Sequence, residues 1–297
     1  MAKSVSTEFY NKMTLSSVLP LAALLAAFFF TQPVSATNIK LASWNMEWLG
    51  SGNKPQRGEL DYQKLREYAL KLDADIVALQ EVSSISSLRL VFGQDYRFEL
   101  SERNHDQKTG FAIRNGIEYR RMPDYAELDW RGNQMLRYGT DISIASNKSG
   151  ALRILNVHLK SGCFSNSHSN KSCKTLKPQV AQLANWMLLR DRNKEAFIVI
   201  GDFNRRLKEK NDYVMSALKA ALPSLHSVGH NNASGCLVKK GEGVKAYRSF
   251  IDHILVNEAI LPNVDEESFI HHAFAKNDVI ERELTDHCPI RVTLKNQ

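Results

Sequence analysis

The amino-acid sequence predicts a single layered domain in which helices cover the faces of β-sheet. Three observations carry that expectation. Eight short apolar runs have strand-like length and β-branched content, three stretches have helical periodicity, and no composition break, Pro-rich linker or repeat divides the chain. Strands therefore outnumber helices by more than two to one.

The first 36 residues stand apart from this pattern. Lys3 and Lys12 precede an apolar stretch from Leu19 to Phe30, interrupted only by Pro20, and Val34-Ser35-Ala36 supplies small residues for cleavage. These features predict an export signal over 1–36, cut after Ala36, so that 261 of the 297 residues (37–297) form the mature protein. The apolar run is shorter than the roughly 20 residues a membrane-spanning helix needs, so no stable membrane anchor is expected after cleavage.

Ile39–Trp44 is then the first expected strand. Asp61–Leu72 reads as a helix because Tyr62, Leu65, Ala69 and Leu72 recur at intervals of three and four. Strands at Ile76–Leu79, Gly110–Ile113, Ile142–Ala145 and Leu152–Val157 lead to a second helix, Leu176–Leu189, where Leu176, Val180, Leu183 and Met187 repeat the spacing. Phe197–Ile200 is another strand and Tyr213–Ala221 a shorter helix that ends before Pro223. Phe250–Val256 and Pro289–Leu294 complete the strands.

A composition of 43% hydrophobic and 24% charged residues, with 15 Gly and 8 Pro, excludes low-complexity, collagen-like and wholly disordered chains. Lys and Arg number 39 against 32 Asp and Glu, a formal charge of +7. The signal removes Lys3, Lys12 and Glu8, so the mature chain keeps +6, a balance that favours anionic partners such as nucleic acid or lipid headgroups. Export would expose the four cysteines to an oxidising compartment. Cys163 and Cys173 lie ten residues apart in a loop rich in Ser and Asn, where a disulfide would pin the chain beside His158. Their spacing does not suit zinc. Cys236 and Cys288 could form a second bridge or stay free.

Polar residues collect where strands end. Asn45 and Glu47 follow the first strand, Glu81 the second, and His158 closes Leu152–Val157. Asp202 and Asn204 follow Phe197–Ile200, Asp252 and His253 interrupt Phe250–Val256, and Asp286 and His287 precede the last strand. Strand ends form the rim of a layered sheet, so these residues could converge in one cleft. Asn45 and Glu47, two apart on extended chain, point to the same side and could both reach a metal; the plainer alternative is a solvated strand end. Glu81 abuts an apolar strand, where a carboxylate needs a cation or a hydrogen-bonding partner, unless it caps a helix. His158 shares a side with Asn156, while Val157 and Leu159 face the other way. Gly201 permits a bend that presents Asp202 and Asn204 together, although an Asx-turn explains one of the two. An Asp252–His287 hydrogen bond would satisfy a buried Asp and orient the histidine as a base. Arg205 and Arg206 set positive charge beside Asn204, suited to phosphate contact. His271 and His272 adjoin no such cluster and read as surface residues.

Taken in order, Ser43-Trp44-Asn45-Met46-Glu47, Leu79-Gln80-Glu81-Val82, Asn156-Val157-His158-Leu159, Gly201-Asp202-Phe203-Asn204, Ile251-Asp252-His253-Ile254 and Thr285-Asp286-His287 resemble the six motifs of the endonuclease/exonuclease/phosphatase superfamily. The resemblance spans nearly all of the mature chain. It implies an α+β fold, a four-layer α/β/β/α sandwich with two packed mixed β-sheets, and metal-dependent hydrolysis of a phosphoester. By the family pattern Glu81 is the principal Mg²⁺ ligand, with Asn45 in or near its shell, Glu47 an additional ligand and Asp286 in support. His158 is the general acid, and His287, oriented by Asp252, is the base or binds phosphate. Asp202 and Asn204 position the attacking water, and the base is either Asp202 or His287.

The chemistry asks for the same parts. A phosphodiester repels an anionic nucleophile, so a hard cation must neutralise it: Mg²⁺, with Mn²⁺ and Ca²⁺ as alternatives. His158 favours deoxyribonuclease-like or sphingomyelinase-like relatives over abasic-site enzymes, and the retained charge favours a polyanion over a zwitterionic lipid. The expectation is a periplasmic or secreted endonuclease, monomeric, acting on DNA and on RNA as an alternative. A lipid phosphodiesterase, an inositol-phosphate phosphatase and a catalytically inactive binding module are the competing readings.

Overall fold

The computed structural model describes residues 38–295 other than 54, 147–149, 165–169 and 230–232. The expected signal, 1–36, lies outside the described residues.

Two six-stranded sheets organise the chain. The first runs Val264–His271, Ile290–Leu294, Ile39–Leu49, Ile76–Val82, Lys108–Arg114, Tyr96–Leu100 in spatial order. The second runs Tyr119–Arg121, Thr140–Ser146, Gly150–His158, Ala196–Asp202, Asp252–Val256, His226–Ser227. Both are mixed. Ile39–Leu49 pairs parallel with Ile76–Val82, and Gly150–His158 with Ala196–Asp202, while the other pairings are antiparallel.

Strand alternation builds the four layers. Leu41, Ile76, Ala78 and Phe111 of the first sheet meet Ile142, Ile154, Ile198 and Ile254 of the second in one apolar core. Their neighbours Ala42, Trp44, Val77 and Leu79 turn outward onto Leu65, Leu72 and Leu88, from helices Glu59–Leu72 and Ile85–Phe92. On the opposite surface Leu155, Val157, Phe197 and Val199 pack on Leu176, Leu183 and Leu218, from helices Lys171–Arg192 and Tyr213–Ala221. This is the expected α/β/β/α sandwich. Asn170 caps the long helix by accepting from Cys173 N at 2.7 Å, which starts it five residues ahead of the apolar repeat.

Apolar contacts give way to hydrogen bonds as the intersheet layer nears its rim. Gln80 donates to Asn156 at 2.7 Å, and Asn156 donates to the carbonyls of Leu79 and Gly110 at 2.8 and 2.6 Å. These buried amides are satisfied across the sandwich, so the sheets are held in register directly below the site.

A two-stranded hairpin, Cys236–Lys240 with Gly243–Tyr247, belongs to neither sheet. Its root is bonded to the chain after His287 by the Cys236–Cys288 disulfide, and Cys163 is joined to Cys173. Both pairings are thus made. Among the described residues no helix is long and apolar enough to cross a membrane.

Candidate active site

The polar residues that strand alternation sends inward meet at one rim. Asp202 lies opposite both His158 and Asp252 in the second sheet, because Ala196–Asp202 is parallel to one neighbour and antiparallel to the other. Asn45 arrives from the facing sheet and donates to Asp202 Oδ2 at 3.1 Å and to Glu81 Oε1 at 3.4 Å. Its own Oδ1 accepts from Glu47 N at 3.0 Å, so the amide bridges two carboxylates.

Glycine makes the turn at Asp202. Gly201 has φ +136°, and a Cβ there would sit 2.1 Å from Val157 O. Asn204 follows in the left-handed region and donates to Asp202 through both its backbone N, at 2.7 Å, and its side chain, at 2.9 Å. The Asx-turn and the paired presentation of Asp202 and Asn204 therefore occur together.

His158 Nε2 lies 3.4 Å from Asp202 Oδ2 and 3.6 Å from Glu81 Oε1. His287 Nδ1 is hydrogen-bonded to Asp252 Oδ2 at 2.7 Å, which turns its Nε2 toward the same Asp202 oxygen, 3.9 Å away. Thr285 steadies this loop by accepting from Trp44 Nε1 and donating to His287 O. The two histidines rest in opposite states. Burial, followed by the positive charge of Arg137, holds His158 well below the usual histidine range. Burial also works against charge on His287, but Asp252, Asp202 and Asp286 together outweigh it and hold its pKa well above that range. Burial thus favours a neutral His158, whereas the surrounding carboxylates favour a charged His287. Burial pushes Asp202 upward, aided by Asp252 and Glu81 and opposed by His287 and the Asn204 N–H.

Glu47 departs from its expected geometry. Glu47 and Trp48 both have positive φ, and the register to Ile76–Val82 shifts between Asn45 and Leu49, so extended alternation ends at Asn45. Glu47 reaches the rim by this bulge instead, where its Oε2 accepts from Asp286 N at 3.0 Å and lies 3.4 Å from the buried Arg57 guanidinium. Burial and then Asp286 push Glu47 up to about 8, with Arg57 opposing. Asp286 and Glu81 both add to the push on Glu47, so these carboxylates feel one another's charge. Glu47, Glu81 and Asp286 offer carboxylate oxygens, the donors that Mg²⁺ takes, while Asn45 turns its NH2 toward Glu81 and its Oδ1 accepts from Glu47 N. Asp202, Asp252 and His287 are the site residues whose ligand atoms lie within 4.8 Å of one another, and there Asp252 and His287 already satisfy each other.

Two further expectations change. Arg205 is buried between Asp212, to which its Nε donates at 2.5 Å, and the ring of Tyr213, so it braces the loop rather than facing a phosphate; Arg206 stays half-exposed beside Glu209. His271 and His272 are half-buried, and His271 packs edge-on against Phe250 at 5.0 Å. Arg57 and Arg137 were absent from the expected set. Arg137 precedes the Thr140–Ser146 strand, acts electrostatically on Glu81, Asp202 and His158, and donates to Gln107 at 2.9 Å. A cation next to an apolar strand is the same signal that marked Glu81 and could have found it.

The geometry agrees with the comparisons. The model of the endonuclease/exonuclease/phosphatase family matches residues 42–287. Among solved structures, truncated TDP2 of Caenorhabditis elegans aligns with TM-score 0.60 and 15% identity, covering 87% of this chain and 98% of its own. The 3′ phosphatase NExo from Neisseria, bound to a product DNA hairpin, aligns with TM-score 0.60 and 15% identity over 86% and 99%. The endonuclease domain of TRAS1, a telomere-specific non-LTR retrotransposon, aligns with TM-score 0.54 and 15% identity over 87% and 99%. At these identities the likeness is one of fold. No curated protein sequence matches significantly. With the family model spanning all six motifs and the sandwich carrying them to one rim, the chain belongs to the endonuclease/exonuclease/phosphatase family and is built as a phosphoester hydrolase.

Proposed function

We propose that the protein is an exported, divalent-metal-dependent phosphodiesterase that cleaves nucleic acid, chiefly DNA, within the strand. The observation that carries this reading is the pair of imidazoles aimed at one Asp202 oxygen, 3.4 and 3.9 Å away, beside a set of oxygen donors. Hydrolysis must remove a proton from water and return one to the leaving oxygen, and two histidines in opposite protonation states supply both. In the resting site His158 is the acceptor and His287 the donor, with Asp252 fixing the His287 tautomer. Asp202 and Asn204 orient the attacking water, and Arg137 contributes positive charge to the phosphate.

Glu81, Glu47 and Asp286, with Asn45 beside them, would hold Mg²⁺, or Mn²⁺ or Ca²⁺ in its place, whose Lewis acidity neutralises charge on the phosphate. The two disulfides support the periplasmic or extracellular location proposed from the signal.

The test is incubation of the purified mature protein with plasmid DNA, RNA, sphingomyelin and inositol phosphates, in Mg²⁺ or in EDTA. DNA cleavage is expected in Mg²⁺, abolished by EDTA and lowered ~10²- to 10⁴-fold by His158→Ala or His287→Ala. Cleavage that survives EDTA or both substitutions would overturn the mechanism. Lipid or inositol-phosphate cleavage without DNA cleavage would overturn the substrate.

A further inference from the structure

At the catalytic rim lies a cavity of about 400 Å³ that extends beyond the hydrolytic residues. His287, Asn204 and Asp252 line it, so it is continuous with the proposed catalytic residues. Two aromatic rings also line it, Phe164, 65% exposed, and Tyr247 of the hairpin, 37% exposed. Phe250 and the Cys236–Cys288 disulfide line it further, and Arg206 and Lys245 bring positive charge to it, the Lys245 ammonium lying 4.7 Å from the Tyr247 ring centroid. Exposed aromatic rings beside cations, one step from a phosphate, are complementary to a planar base on a polyanion.

Resting on the nuclease reading above, we propose that this cavity binds one unpaired nucleobase of the nucleotide next to the cleaved bond, stacked against Phe164 and Tyr247. Its volume lies toward the lower end of small-molecule pockets, ~300–1,000 Å³, which suits a nucleoside and not a duplex. A paired base cannot enter without leaving its stack, so the cavity selects single strands, frayed ends or extruded nucleotides. The hairpin supplies Cys236, Lys245 and Tyr247 to the lining. It is held covalently to Cys288, the residue after His287, so the base wall and the catalytic histidine share one anchor. The two acidic lining residues are accounted for, Asp252 by its bond to His287 and Asp286 by the proposed metal set. The charge left to greet a ligand is cationic, which disfavours the quaternary ammonium of a choline lipid.

The experiment compares short single strands that carry either ordinary nucleotides or abasic ones around the cleaved bond, together with a blunt duplex. The base-bearing strand is expected to exceed the abasic strand in kcat/KM by on the order of tenfold, and the duplex to be cut more slowly. Phe164→Ala and Tyr247→Ala should each pull that ratio toward one; both side chains are exposed, and melting temperature verifies that the variants fold. Retention of the wild-type ratio in both variants, or equal loss on both strands, overturns the pocket. A wild-type protein that cuts no strand in Mg²⁺ or Mn²⁺ refutes the nuclease reading instead. The pocket is then judged by fluorescence anisotropy of labelled strands bound to the His158→Ala protein. Tighter binding of base-bearing strands that both aromatic substitutions abolish upholds it, and equal binding of the two strands refutes it. Hydrolysis of sphingomyelin vesicles that depends on the same two rings, with no preference for bases, assigns the cavity to a choline headgroup and overturns the proposal.

Discussion

At the scale of single residues, the site is governed by which charges are paired before substrate arrives. His287 is charged at rest because three carboxylates outweigh the cost of its burial, while His158, one hydrogen-bonding shell away, is kept neutral by burial and Arg137. Asp252 is the lever, since its Oδ2 makes the 2.7 Å bond to His287 Nδ1 while its Oδ1 has no hydrogen-bond partner among the described residues. Asp252→Asn should therefore lower the His287 pKa, read by NMR titration of the imidazole, and shift the matching limb of the pH–rate profile to lower pH. A variant that loses rate with an unmoved titration would show that Asp252 acts by shape alone. Chain pattern marked Asp252 and His287 as partners. It could not rank their proton affinities, because the carboxylates concerned come from three separate segments.

At the scale of elements, the site depends on where regular strand geometry stops. Glu47, Glu81 and Asn204 all have positive φ, and each lies where pairing shifts or ends. Such backbone costs ~1–3 kcal/mol per residue and persists only where surroundings enforce it. Gly201 is the extreme case. Gly201→Ala puts a Cβ 2.1 Å from Val157 O, on the strand that carries His158. Chemical denaturation should find it at least ~1–3 kcal/mol less stable than wild type, and activity should fall further than stability because Asp202 and His158 are displaced together. Unchanged stability would mean that the two strands can part without cost. The strands bearing the motifs were legible in the sequence from their apolar runs. The Cys236–Tyr247 hairpin and the edge strands were not, because short polar strands exposed on one side carry no alternation strong enough to read.

At the scale of the whole molecule, burying histidines couples folding to pH. His253, inside the second sheet, and His271, against Phe250, are both pulled down to about 4, by burial first. Between the unfolded value of about 6.5 and that value, the unfolded chain takes up protons that the folded protein refuses. Each of these histidines should thus contribute a loss of stability as pH falls from about 6.5 toward 4, with a slope of up to ~1.4 kcal/mol per pH unit. His287 works in the opposite sense: its raised pKa adds stability that is lost as pH rises through the folded value. Glu47 and Asp202, both pushed up by burial, oppose this loss, so the check is the difference in denaturant midpoint between wild type and His253→Asn across pH, and a difference that stays constant below pH ~6.5 would contradict it. Replacing His253 by Asn should flatten part of the acid limb.

The sequence by itself determined the motif order, the apolar strands that carry the motifs and the family resemblance, because alternation and strand-end polarity are local properties of the chain. It reached Asn45, Glu81, His158, Asp202, Asn204, Asp252, Asp286 and His287 without distances. Only the tertiary structure decided how those residues are paired and enclosed. Arg205 is a brace because Asp212 and Tyr213 enclose it, Glu47 turns toward Asp286 on a bulge, and Arg57 and Arg137 join the site from loops. The pairing of Cys236 with Cys288, and with it the aromatic cavity beside His287, also emerged only there. Burial, charge balance and enclosure are sums over neighbours far apart in the chain, and those sums are not defined until the two sheets have closed on each other.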